Sequence, residues 1–455
     1  MHTPFCPFPL QPFITMNSAT PTITTRYPLS VLAVIFCLVS ALIVGACDVL
    51  DVSNPNTLIE EELDNPAAAP AIANGSEATV TRALGAILAP YSTATDELTW
   101  IGSRDAWNEL DIGTLDNPLN EFTDAAFPFV GEARWTADEA IRRVEGFREA
   151  DALASDNTLA RVYLYGAIIY TGIADMFDDF VIDSDRGEGA PPVGPSNMDS
   201  LYDRALQYID SGLALDPNTA LTTALTGMRA RVQFSRAAWN TVNPISGTPQ
   251  DNLINNAGAV ADAQAALDLM DASYVFALGM DGSLPGLVVG DLSMALQVNQ
   301  RAELGFGTSY IAPEDDGTFG EVTLQDPIDE IVDPVLSNTI EGFIAQAQYA
   351  DIPVVSAREM HLILAEAALA GNADVSFDDQ INALRALDGL SPYTGQVDAF
   401  ELLQHSRKVN LYLQGRRLLD HYRFDDSSPK WTENVPGTFL PITIVEIRSN
   451  PNLSP

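Results

Sequence analysis

Apolar positions recur at helical spacing along most of the chain, and the elements follow from that period. Residues 78–90 read as a first helix. A second opens at Thr136-Ala137-Asp138-Glu139, a capping box in which the Thr hydroxyl takes one free N–H and the Glu reaches back. Ile141, Val144 and Phe147 share its apolar face. Residues 158–177, with Leu159, Val162, Ile168, Ile169 and Ile173, are apolar nearly all round and predict a buried helix. Ser196 to Asp199 opens the next, where Leu201, Ala205, Ile209 and Leu213 share one face until Asp216-Pro217-Asn218 stops it. Return helices follow over 220–240 and 256–270. Between 271 and 355 the period fades: Gly, Pro and Asp are frequent, and Gly305-Phe306-Gly307 and Pro313-Glu314-Asp315-Asp316-Gly317 are loop chemistry. A long irregular stretch inside a helical chain points to a binding role or to disorder. Helices resume behind Ser356-Ala357-Arg358-Glu359, another capping box, then over 377–388 and as one long helix over 398–420. The tail, 431–455, is extended and punctuated by proline.

The first segment follows a different pattern. Residues 1–28 hold no Asp or Glu, with Arg26 near the end, and an apolar run of sixteen residues follows from Leu29 to Val44. That run is short for a membrane span and suits a signal-peptide core. It leads into Val44-Gly45-Ala46-Cys47, small residues before a cysteine, which is what lipoprotein signal peptidase requires. The expected organisation is a removed signal over 1–46, a tether over 47–77 lipidated at Cys47, and one helical domain over 78–455 with its irregular part at about 271–355. The true start is Met1 or Met16. Leu201-Tyr202, Ala205-Leu206, Ile209, Leu213 and Asp216-Pro217 have the flavour of a tetratricopeptide repeat, although no period of about 34 residues repeats.

Charge narrows the partners. The 455 residues carry 23 Lys+Arg against 62 Asp+Glu, a net charge of −39, and the lysines are only Lys408 and Lys430. Such a field repels nucleic-acid backbones and anionic lipid surfaces, so attachment to a membrane must come through the lipid on Cys47. Cys6 and Cys37 leave with the signal, so no disulfide is expected.

Candidate chemistry is sparse. There is no G-x-S-x-G, phosphate loop or dinucleotide-binding glycine run, and His361, His405 and His421 form no zinc motif, so no catalytic residue, cofactor or metal ligand is assigned. The acidic loop Asp178-Asp179 to Asp183-Ser184-Asp185 offers hard oxygens for calcium but departs from the EF-hand pattern at Gly187, and a solvated acidic loop is the expected state. Of five tryptophans, Trp135 and Trp239 fall in predicted core helices and Trp431 in the tail. Trp100 and Trp107 fall in a polar segment with Asp96, Glu97, Arg104 and Asn108. Indole faces interleaved with hydrogen-bonding groups suit a sugar ring. The alternative, that both plug the core beneath a loop, stays open.

Several segments in order resemble the SusD/RagB family of surface lipoproteins. They are Cys47-Asp48-Val49-Leu50-Asp51-Val52-Ser53-Asn54-Pro55, Glu359 to Ala367 with Ile381-Asn382-Ala383-Leu384-Arg385, Gly415 to Arg423, and Phe439-Leu440-Pro441-Ile442 with Glu446 and Asn450-Pro451; Thr443 stands where the family usually has proline. The resemblance implies a mostly α fold of tetratricopeptide-like helix pairs with a loop-rich, ligand-binding insertion. It also implies a non-catalytic outer-membrane lipoprotein that binds a glycan, or sometimes a peptide, and passes it to a TonB-dependent transporter of the SusC type. Ligand contacts in the family come from the early loop and a later irregular segment, here near Gly307 to Tyr310. Two other readings remain open: a lipid-anchored glycan hydrolase, and a helical scaffold with no small ligand. Arg416, Arg417 and Arg423, in so acidic a chain, are expected to pair with carboxylates.

Overall fold

The computed structural model describes residues 60–183, 189–243, 252–281, 289–313 and 319–453. The signal at 1–46, Cys47 and the first part of the tether lie outside the described residues. Helices follow one another as α1 Glu60–Leu63, α2 Ala69–Thr93, α3 Asp105–Asp111, α4 Glu121–Glu149, α5 Asp156–Met176, α6 Asp199–Leu213, α7 Thr219–Val242 and α8 Ala257–Leu267. Beyond the irregular part come α9 Met294–Asn299, α10 Pro334–Ala345, α11 Ala357–Leu369, α12 Phe377–Leu387, α13 Ala399–Asn410, α14 Arg417–Phe424 and α15 Ile444–Ser449. From α4 to α8 each helix packs on the next, with α2 laid across α4 and α5; α11 then packs on α8, α12 and α13. This is the helix-pair architecture expected.

Side-chain caps account for most boundaries. Ser155, Asn218, Asn256, Ser356, Ser376 and Asp398 each accept from a first-turn N–H of the helix they precede, an interaction worth about 1 kcal/mol per cap. Ser356 caps as read, accepting from the Glu359 N–H, but the other half of the box is not made, because the Glu359 carboxylate accepts from Arg416 instead of reaching back. The Thr136 box does not form, because that sequence lies inside α4, whose true cap is Asn120, accepting from Phe122 and Thr123. Pro128 and Gly131 within α4 disguise its first half, and packing on α2 overrides their poor propensity. The helix expected over 78–90 is α2, which likewise starts earlier, at Ala69, nine residues ahead of 78. The long helix expected over 398–420 is two helices. Leu413 and Gly415 between them take φ of 60° and 73°. The positive φ at Gly415 favours glycine; a Cβ there would also press on the tips of the Met176 and Leu88 side chains, at 2.8 and 3.0 Å.

The irregular part holds more structure than its pattern shows. β1 Leu98–Trp100 pairs with β3 Leu304–Phe306, β2 Val275–Leu278 with β6 Ile352–Ser356, and β4 Ile311–Pro313 with β5 Phe319–Val322, all antiparallel. The tail carries α15 instead of being wholly extended.

An ion network runs through the core between α11, α13 and α14. Arg423, fully buried, donates to Glu366 at 2.6 Å and to Asp420 at 2.7 Å. Arg407 donates twice to Asp420, at 2.8 and 3.0 Å. Arg416 reaches Glu359 at 3.1 Å and Arg231 reaches Asp175 at 3.2 Å. The three arginines of the Gly415–Arg423 segment are structural, as their setting in an acidic chain predicts.

Candidate functional site

Four of the seven expected contact residues are core residues. Trp107 and Tyr310 have no exposed surface, and Asp96 and Glu97 are 4% and 1% exposed. Asp96 accepts two hydrogen bonds from Arg417, at 2.7 and 3.0 Å, and one from the Tyr310 hydroxyl at 3.1 Å. Lys408 lies 3.1 Å away and His421 3.2 Å away. Burial opposes its ionisation, but Arg417 and His421 outweigh burial and hold its carboxyl well below the usual range. Tyr310 packs on Tyr412, ring centroids 4.6 Å apart, with the Lys408 ammonium 4.4 Å from its centre. A polar segment in sequence thus becomes an ionic plug, because in so acidic a chain the scarce cations gather its carboxylates inward.

Glu97 has a distinct role. One carboxyl oxygen accepts from the Leu413 N–H at 2.7 Å, its carbonyl accepts from Tyr412, and the second carboxyl oxygen has no hydrogen-bond partner among the described residues. Burial pushes its carboxyl up to about 7 from 4.5. Between those values the folded chain holds a proton that the unfolded chain has released, so stability falls as pH rises through that window. Glu97→Gln removes this contribution. Urea denaturation from pH 5 to 7 is expected to show the variant gaining on the wild type by up to about 1.4 kcal/mol per pH unit. Parallel profiles would show that Glu97 ionises normally. Asp178, also raised to about 7 by burial, acts equally in both proteins and cancels.

Trp100, Arg104 and Asn108 keep partial exposure. Arg104 is the outer layer of a stack: its guanidinium lies 4.5 Å from the centre of Phe122, whose ring stacks on Trp107 at 3.5 Å and 12°. Glu121 pairs with Arg104, and Asp291 does so at 3.3 Å. The loop beneath is pinned by Glu303, whose carboxylate accepts from the Ser103 N–H and hydroxyl and the Arg104 N–H at 2.9 to 3.0 Å. The β1–β3 pairing brings these distant segments together. Trp107, expected to offer its own face to a ligand, instead supports Arg104 from below.

Next to this face lies a cleft of about 390 Å³ under α10. The segment through α9 borders both: Asp291 pairs with Arg104, Met294 lines the cleft, and Asn299 donates to the Phe343 carbonyl at 3.0 Å. Asn338, Thr339, Gln346 and Gln414 supply amide and hydroxyl groups around an apolar floor that includes Phe343. These residues escaped the sequence reading because α10 was not predicted, although Asp333-Pro334, a cap followed by proline at the first helical position, is a start signal.

In the acidic loop, Asp179 accepts from the Phe180 and Gly194 N–H groups at 2.8 and 2.7 Å, and Asp183 pairs with Arg134. Ser184 to Glu188 lie outside the described residues. Asp326, Asp333 and His405 approach one another, but Arg385 takes both oxygens of Asp326, while Asp333 caps α10 with one oxygen and meets His405 with the other.

No family model and no curated protein matches the sequence. Solved structures do match. A SusD superfamily protein from Bacteroides fragilis is similar with a TM-score of 0.59 over 86% of this chain and 99% of that one, at 13% identity. A SusD superfamily protein from Parabacteroides distasonis ATCC 8503 gives 0.57 over 87% and 98%, at 14% identity. A SusD-like carbohydrate binding protein from Bacteroides vulgatus ATCC 8482 gives 0.50 over 80% and 84%, at 12% identity. Over most of its length, this chain has the fold of the SusD superfamily.

Proposed function

We propose that the protein is a non-catalytic, lipid-anchored binding protein of the outer membrane that captures a glycan and delivers it to a TonB-dependent transporter of the SusC type. The observation that carries this reading is the fold, similar over 80% of the chain to a SusD-like carbohydrate binding protein. Among the described residues no helix is long and apolar enough to cross a membrane, which fits attachment through Cys47. The ligand rests on the Arg104 face and the adjoining cleft. Arg104 offers paired donors to ring hydroxyls, Trp100 and Asn108 flank it, and the amides of Asn338 and Gln414 extend the contact.

Titration of the purified full chain with short oligosaccharides and peptides tests the reading. A glycan is expected to bind near 1 μM, about −8 kcal/mol. Arg104→Ala is expected to weaken it about tenfold or more while leaving the melting temperature nearly unchanged. Hydrolysis of the glycan would instead establish the anchored hydrolase. Tight protein binding with no small ligand would establish the scaffold.

A further inference from the structure

We infer that a single water molecule is bound in the core, bridging the Tyr91 hydroxyl of α2 and the Glu359 carboxylate of α11. The place is a cavity of about 20 Å³ where α2, α5, α7, α11 and α14 meet beneath the turn that carries Gly415 and Arg416. It lies in the interior, and the inference is independent of the glycan-binding reading.

Three observations make it a built site. The first is a donor. Tyr91 has no exposed surface, and its hydroxyl lines the cavity with no hydrogen-bond partner among the described residues. Burial, with Asp175 and Glu97 nearby, pushes the phenol well above its ordinary value, so it keeps its proton. The second is an acceptor. Glu359 is 5% exposed, and one of its carboxyl oxygens accepts from Arg416 at 3.1 Å. Its other oxygen, Oε2, is buried and accepts from no described residue. Tyr91 and Glu359 line one cavity without bonding to each other, and a buried polar group left unsatisfied destabilises the fold. The third is size. A water needs about 10–15 Å³ of such space and two to four polar partners. The cavity meets both conditions and is far too small for a sugar ring.

Charge selects a neutral guest. Three acids line the cavity, and each already has a guanidinium: Asp175 meets Arg231 at 3.2 Å, Glu359 meets Arg416 at 3.1 Å, and Asp420 meets Arg407 at 2.8 Å. A cation would face Arg407 and Arg416 on the wall, and an anion would face the carboxylates. Water serves as donor and acceptor at once. It accepts from the Tyr91 hydroxyl, donates to Glu359 Oε2, and directs its second O–H toward the lone pairs of Asp175 or Asp420. The bridge ties the last turn of α2, just ahead of the buried Asp96 and Glu97, to the first turn of α11.

Crystallography of the full chain, with bromide and rubidium soaks read by anomalous scattering, tests the inference. Oxygen-17 relaxation dispersion, which registers waters held longer than the protein tumbles, tests it in solution. One density peak is expected within hydrogen-bond reach of Tyr91 Oη and Glu359 Oε2, with no anomalous signal from either soak. The wild type should register one more long-lived water than Ser235→Val, whose larger side chain takes up the space. Tyr91→Phe keeps the ring but loses the donor, and its water should exchange about fivefold faster or more. Should Ser235→Val fail to fold, the wild-type density and Tyr91→Phe decide. No density at that position, or equal water counts in the wild type and a folded Ser235→Val, would overturn the inference. Bromide or rubidium in the cavity would overturn the ligand, and unchanged exchange in Tyr91→Phe would overturn the part given to Tyr91.

Discussion

Replacing Arg423 by methionine is expected to cost about 3–5 kcal/mol of stability. The side chain is completely buried and meets two carboxylates, Glu366 at 2.6 Å and Asp420 at 2.7 Å. Methionine fills much of the volume but leaves the two acids with Arg407 as their one remaining cation among the described residues; Arg407 already gives both Asp420 oxygens a hydrogen bond and lies 3.4 Å from Glu366. Removing one member of a buried charged set strands the others in a poorly solvating interior, and that cost exceeds what the pair contributed when intact. Urea denaturation at neutral pH measures it. A loss of about 1 kcal/mol or less, the worth of an exposed pair, would show that the network is solvated. Acid sensitivity should change with it. Burial opposes ionisation of Asp420, but Arg407 and Arg423 hold its carboxyl down to about 2 from 3.8. Its contribution is present above 3.8 and is lost as pH falls toward 2. With Arg423 gone that depression shrinks, and the acid transition moves to higher pH. Adding Glu366→Gln to Arg423→Met removes one stranded charge and should recover part of the loss.

Trp107→Ala is expected to destabilise by about 3–5 kcal/mol, the range for truncating a large buried aromatic. Its ring has no exposed surface and stacks at 3.5 Å on Phe122. The cavity would open beneath the layer that carries Arg104, so glycan affinity should fall as well, but only as far as Arg104 loosens. Trp100→Ala tests the neighbouring indole, which is partly exposed and packs at the edge of the core. It should cost less stability than Trp107→Ala. Equal melting temperatures for Trp107→Ala and wild type would mean that the residue is not packed as described.

The two halves of the early loop illustrate what local pattern can and cannot reveal. Arg104 and Asn108 look polar and remain partly accessible. Asp96 and Glu97 look equally polar, yet they are buried because Arg417, Lys408 and the Leu413 N–H arrive from more than 300 residues away. Trp135 shows the opposite case. Placed among core residues by its helix alone, it sits on a cleft wall because Val445 and Glu446 of the distant tail close the other side. Its displacement from the stripe of Val130, Ala137 and Ile141 was a signal available without coordinates.

What the sequence by itself determined is the class of fold and most of its helices. The period of apolar residues, the capping side chain at Ser356, and the expectation that Arg416, Arg417 and Arg423 seek carboxylates are all local or compositional properties. The tertiary structure alone decided which tryptophan is covered, where the short strands pair and which clefts form. β1 finds β3 some 200 residues later, and Pro128 and Gly131 stay helical because α2 packs over α4. Burial is a sum over neighbours from every part of the chain, and no window along the sequence contains that sum.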